Sequence, residues 1–213
     1  MKPLFYIFLF LSLAHSQRND IYSRPFQSGP EFDIDVQHYD IDLKILDHEK
    51  SFSGKTSITF NVIKPYLENI QFDVETFNVT KVKSEGKELS FEQKNGSLII
   101  QPDEPIRIGD ELTYTISYQS DGNIADPSKY GMRGAKVLGL GFFDESDDNP
   151  ALVQTHSFPE GARHWFPSND HPADKATSKI TTTVRSDWKV LANGVLTESE
   201  TNWKVLPNGM KIK

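Results

Sequence analysis

The sequence predicts an all-β fold, a mostly antiparallel, saddle-like sandwich of sheets, and three observations predict it. Tyr39, Ile41, Leu43 and Ile45 alternate with Asp40, Asp42 and Lys44, and Ile58, Phe60 and Val62 repeat the period of two. That period sends apolar side chains to one face of a strand and polar ones to the other. Asn95-Gly96, Asn193-Gly194 and Asn208-Gly209 punctuate the chain with residues that tolerate the positive φ of tight hairpin turns. No stretch sustains a 3.6-residue apolar stripe beyond two turns, so helices are not expected.

From the N-terminus, residues 1–16 read as a secretory signal peptide. Lys2 precedes an apolar run from Leu4 to Leu13, and Ala14 and Ser16 place small residues where a signal peptidase inspects the chain. The run is well short of the roughly 20 residues that a helix needs to cross a bilayer. No second apolar span follows, so the expected product is secreted or periplasmic, without a transmembrane segment. Residues 17–31, polar and carrying Pro25, Gly29 and Pro30, read as a flexible lead-in. Residues 32–213 then form one β domain. After the strands at 39–45 and 58–62, further short β-rich runs lie at 70–74, 79–82, 98–100, 112–118, 180–184 and 189–192. Gly139 to Lys175 interrupts them as a long structured connection, a length that in a compact domain usually serves function or docking.

Composition narrows the chemistry. The 213 residues include 23 Lys plus Arg against 30 Asp plus Glu, a net charge of -7, and so lack the basic field that nucleic acid requires. With no cysteine, disulfides, thiolate metal sites and thiol nucleophiles are excluded. A hydrolytic zinc site on a helix needs two histidines at i and i+4 beside a carboxylate. No two of the six histidines have that spacing, and Pro167 stands between His164 and His171, which read as packed or hydrogen-bonded structural residues. Asp144, Glu145, Asp147 and Asp148 lack the Gly and terminal Glu of an EF-hand loop and read as a solvated acidic turn. There is no Gly-x-Ser-x-Gly elbow and no phosphate-binding glycine loop. Asn78-Val79-Thr80 and Asn95-Gly96-Ser97 are glycosylation sequons that only a eukaryotic secretory route would use.

The run from Pro159 to Thr177, PEGARHWFPSNDHPADKAT, resembles the signature of the aminopeptidase N family of zinc metallopeptidases. The resemblance extends to Phe52-Ser53-Gly54, to Gly139-Leu140-Gly141-Phe142-Phe143 and to the 188–194 stretch, and covers about Phe32 to Lys213. It implies an N-terminal β domain, incomplete at its C-terminus, whose partner is the catalytic domain of the same polypeptide. Zinc is expected there, peptides are the substrate, and no catalytic residue or metal ligand lies in this chain. Arg163, Asp170 and Lys175 are implied to fasten the signature loop through charge-assisted hydrogen bonds. Phe166, with Trp165, is read as a core anchor, and Pro167 and Pro172 complete the signature. Just before it, the family reads T-Q-x-E, where Gln and Glu bind the substrate's free α-amino group. The ungapped register puts His156 and Phe158 at those two positions. Two function classes result: the substrate-shaping domain of a secreted zinc aminopeptidase that removes N-terminal residues, or a stand-alone secreted β-sandwich binding module without catalysis.

Overall fold

A computed structural model describes residues 32–120, 122, 125–130 and 137–199, together with the backbone of two short strands at 204–205 and 211–212. The chain divides into the units Met1–Glu31 and Phe32–Lys213. The expected leader, the lead-in and the Asn208-Gly209 turn lie outside the described residues. In chain order the strands are β1 (Ile34–Leu46), β2 (Ser51–Val62), β3 (Tyr66–Leu67), β4 (Ile70–Asp73), β5 (Asn78–Ser84), β6 (Lys87–Glu88), β7 (Ser90–Lys94) and β8 (Ser97–Gln101). They continue with β9 (Ile106–Arg107), β10 (Glu111–Gln119), β11 (Gly139–Phe143), β12 (Leu152–His156), β13 (Thr177–Thr183), β14 (Lys204–Val205) and β15 (Lys211–Ile212). No α-helix occurs among the described residues, only three short 3₁₀ turns.

Two sheets enclose the core. The larger runs β13-β1-β2-β10-β5-β6, and the smaller runs β4-β8-β7. Every neighbouring pair in them is antiparallel except β13 with β1. Even-numbered residues of β2 and β10 point inward: Phe52, Thr56, Ile58, Phe60 and Val62 meet Tyr114, Ile116 and Tyr118, all buried. Phe60 sets its ring edge-on to Tyr114 at 5.2 Å and, across the sandwich, to Phe72 of β4 at 5.7 Å. Such T-shaped pairs contribute beyond the area they bury. The one buried hydroxyl of β2, that of Thr56, is paired with the Tyr118 phenol at 3.0 Å, so burial leaves neither group unsatisfied. On the opposite face, Ser57 with Thr115 and Thr59 with Thr113 form cross-strand hydroxyl pairs at 3.0 and 2.9 Å.

β1 is longer than its odd-numbered alternation suggests, and the reason is a bulge. Val36 pairs with Phe60 but His38 pairs with Thr59, so Gln37 is an extra residue. Ile34 and Val36, on even numbers, and Ile41, Leu43 and Ile45, on odd ones, consequently all reach the core. The hairpin between β7 and β8 has Asn95 and Gly96 at φ of 51° and 78°, the two left-handed residues of a type I′ turn. Two expectations need correction. The 139–175 connection is in part regular, since β11 and β12 pair from Gly139–His156 to Phe143–Leu152. Residues 189–192 form no strand: a strand exists through its ladder, no ladder pairs these residues with a described strand, and Leu191 is 96% exposed.

Deleting Gln37 should return β1 to a single phase and turn Ile34 and Val36 to solvent. Each such side chain contributes about 1.5–3 kcal/mol when buried, so denaturant unfolding should show a loss of at least about 3 kcal/mol. Gln37→Ala, which removes only an exposed side chain bonded to Asp35, should stay within about 0.5 kcal/mol of wild type. Equal stability of the deletion and the wild type would contradict the phase-switch account.

Candidate functional site

The segment from Val137 to Thr177 is built on one close approach. Gly139, at the start of β11, has φ of 74°, and a Cβ there would overlap the side chain of His164. Only glycine meets both conditions, and the β11–β12 hairpin therefore lies directly on the 3₁₀ turn Ala162–His164. Leu138 and Leu140 are buried against this turn and the core. At the far end of the hairpin Asp144, Glu145, Asp147 and Asp148 are exposed, with Lys50 reaching Asp144 at 2.7 Å. No cluster of three or more His, Cys, Asp or Glu that could hold a metal ion occurs among the described residues.

Behind the hairpin sits a knot of charges. Arg163 donates from Nε to Asp170 Oδ2 at 3.0 Å and from Nη2 to the Asp170 carbonyl at 3.2 Å, and its backbone N–H reaches the same carboxylate at 3.1 Å. Its other contacts are Asp73, at 3.5 Å, and Glu160, at 3.4 Å. Asp73 closes the loop by accepting the Asp170 N–H at 2.9 Å and exchanging backbone hydrogen bonds with Ser168 at 2.7 and 3.3 Å. Burial acts to lower the Arg163 pKa, but the Asp170 hydrogen bond and the surrounding acids outweigh it and push it up. Asp73 is raised, by burial first, against the pull of the Asp170 N–H and Arg163. Asp73 was not legible as a member of this group. It is the last residue of β4 and meets the signature only through the fold.

The remaining signature residues divide by burial. Trp165 and Phe166 are both 8% exposed, with the indole N–H donating to Ser157 Oγ at 3.0 Å and Phe166 edge-on to Tyr39 at 5.3 Å. Pro167 is buried, and Pro172 and Lys175 are exposed. Lys175 makes no hydrogen bond or ion pair with a described residue, so the fastening of the loop rests on Arg163 and its acids. Past the knot, Asn169 donates its N–H to the Tyr39 phenol at 3.0 Å and its amide to Asp174 at 2.6 Å. Asp174 in turn accepts the Val36 N–H at 3.3 Å, just beyond the point where β13 begins to pair with β1.

His156 and Phe158 stand between hairpin and knot. His156 ends β12 opposite Gly139, half-buried, with Nδ1 3.0 Å from the Val137 carbonyl. Phe158 is 74% exposed. His171, the other signature histidine, accepts the Ala173 N–H at 3.1 Å and sets its ring 5.4 Å from Phe32.

His164 is 2% exposed, faces Glu75 at 3.8 Å, and lies near Arg163 and Asp170. Burial lowers its pKa, against the upward pull of Glu75. A histidine held below its unfolded value stabilises the fold above the ordinary imidazole range, and that contribution is lost as pH falls through it. Asp73 and Asp174, both raised by burial, act in the opposite sense. On acidification from about pH 7 to about pH 5 the His164 contribution should be lost, so His164→Gln should gain melting temperature relative to wild type and have a different slope over that span, whatever the two carboxylates contribute to both proteins. An unchanged slope in the variant would show that His164 does not carry it.

This architecture has relatives. The chain is similar to the Probable aminopeptidase 1 of Sulfurisphaera tokodaii, 26% identical over 160 residues, which are 75% of this chain and 17% of that protein. It is also similar to the Glutamyl aminopeptidase of Rattus norvegicus, 26% identical over 186 residues, covering 80% of this chain and 18% of that one. Among solved structures, the M1 zinc metallopeptidase of Deinococcus radiodurans bound to a Tyr-Ser-Ala substrate superposes with a TM-score of 0.67 at 27% identity, over 84% of this chain and 38% of that chain. The chain thus spans less than a fifth of the length of these two curated relatives. Residues 35–208, from β1 through the hairpin and the charge knot, match the Peptidase M1 N-terminal domain, and the chain belongs to that family.

Proposed function

We propose that this chain is the N-terminal, substrate-shaping domain of a secreted zinc metalloaminopeptidase that removes N-terminal residues from peptides. The observation that carries the proposal is the family match over residues 35–208, shared with relatives that are aminopeptidases several times longer. The domain's contribution is geometric. The charge knot and the Gly139–His164 contact hold the end of β12 and the following residues in one place. In the proposed protein, positions 156 and 158 meet the amino terminus of the bound peptide, as the family resemblance implies. Zinc has no home in the described residues, which lack a cluster of three or more ligands. The metal and the chemical step are assigned to a catalytic domain of the same polypeptide because the family resemblance implies one and the relatives are several times longer than this chain. Secretion rests on the apolar run from Leu4 to Leu13 and the small residues at Ala14 and Ser16.

One preparation tests the whole proposal: the native polypeptide recovered from outside the cytoplasm. Its N-terminus should be Gln17, metal analysis should find one zinc per chain, and aminoacyl substrates should be hydrolysed until a chelator removes the metal. An N-terminus at Met1 would contradict the leader. A zinc-free polypeptide ending near Lys213, without hydrolysis, would instead favour the stand-alone binding module.

A further inference from the structure

The two glycosylation sequons, distant from the charge knot in sequence, meet in the fold. Of the eleven asparagines in the chain only Asn78 and Asn95 open an Asn-x-Ser/Thr tripeptide, and both line one shallow depression of about 410 Å³, together with Val79, Phe91, Gln93 and Lys94. Gln93 holds the two segments side by side: its amide accepts the Val79 N–H at 2.8 Å and donates to the Phe77 carbonyl at 2.7 Å. Asn78 is the first residue of β5, and Asn95 is a left-handed residue of the β7–β8 turn, with φ of 51°. Both are exposed. No hydrogen bond to a described residue occupies either side-chain amide. The hydroxyls of the two sequons, by contrast, are both in use: Thr80 donates to the Ser117 carbonyl at 3.1 Å, and Ser97 Oγ accepts from Gln71 at 2.9 Å. Folding thus consumes the hydroxyls and leaves the two amides in water, so a sugar chain on either nitrogen replaces no contact of the fold.

We propose that Asn78 and Asn95 are both N-glycosylated, so that two sugar chains rise from the rim of one depression. The inference rests on the secretion reading above, and it requires a route that supplies an oligosaccharide on a polyprenyl diphosphate. In the transfer the Asn side-chain nitrogen bonds to the anomeric carbon of the first sugar and the bond from that carbon to the diphosphate oxygen breaks. The lipid diphosphate departs with the electron pair, and the amide nitrogen gives up one proton. Two bulky, solvated chains then keep this surface of the domain in water.

The test uses the polypeptide recovered from outside the cytoplasm of its own cells, treated with an amidase that releases N-linked glycans and converts each glycosylated asparagine to aspartate. Treatment in heavy-oxygen water separates this conversion from spontaneous deamidation at Asn95-Gly96. Peptide mass spectrometry should find labelled aspartate at positions 78 and 95, and the treated chain should run faster on a gel. Thr80→Val and Ser97→Ala keep both asparagines. Each should abolish the label at its own sequon and leave the other, and the double variant should lose the gel shift altogether. An unmodified asparagine at either position in wild type beginning at Gln17 would overturn the inference and leave secretion intact. A shift that survives the double variant would place the sugar on other residues and overturn it as well. A polypeptide that keeps Met1 and carries no glycan would overturn both readings.

Discussion

The Arg163 guanidinium is the fixed point of this domain. It joins three acids from different parts of the chain: Asp73 at the end of β4, Glu160 ahead of the 3₁₀ turn and Asp170 beyond it. Half-buried charges of this kind are costly to strip of water, and the cost is offset only when nearly every donor and acceptor is used. Here the guanidinium reaches two carboxylates through Nε and Nη1, and a third carboxylate and a carbonyl through Nη2. The Asp170 and Arg163 backbone N–H groups fill two of the remaining carboxylate positions. The smaller sheet and the signature loop are consequently one unit. A lysine, with a single compact ammonium, could not bridge this spread of acceptors.

The order of the larger sheet follows from that unit. A chain passing the knot at Asp170 has Tyr39 and Val36 of β1 beside it: Asn169 donates to the Tyr39 phenol, Asp174 accepts from the Val36 N–H, and the two are bonded to each other. Thr177 therefore enters alongside His38, and β13 runs parallel to β1 as the one parallel strand of an otherwise antiparallel sheet. The bulge at Gln37 lies at the same place. It rotates the N-terminal end of β1 so that Ile34 and Val36 still reach the core while the Val36 N–H meets Asp174. In the other direction along the chain, the Gly139–His164 contact seats the β11–β12 hairpin on the knot and so places His156 and Phe158.

Much of the fold was legible because period-two burial is a local property. The runs at 70–74, 79–82, 98–100 and 112–118 all correspond to strands, within one or two residues at most ends. The parts that were not legible depend on contacts distant in sequence. β11 reads Gly-Leu-Gly-Phe-Phe, and its glycines are selected by His164 and Val137, not by strand propensity. A bulge leaves no mark when both phases around it carry apolar residues. Asp73 looks like any polar residue at the end of a strand until the loop arrives. For the site, the resemblance of 159–177 supplied the positions 156 and 158, but the Val137 carbonyl that decides the tautomer of His156 was visible only in three dimensions. The exposed 189–192 run shows the converse limit, since a short β-rich run that no described strand pairs with does not make a ladder.

If the knot governs the placement of the hairpin, its loss should be felt there before it is felt in the main sheet. Residue-resolved hydrogen exchange on wild type and Arg163→Lys measures this directly. In wild type the amides of Asp73, Glu75, Ser168 and Asp170, all hydrogen-bonded across the knot, should exchange as slowly as those of β2 and β10. In Arg163→Lys these four and the β11–β12 amides should lose protection together, with β2 and β10 little changed. Full protection of the hairpin in the variant, or rapid exchange of the four amides in wild type, would contradict the claim that this guanidinium holds the candidate site in position.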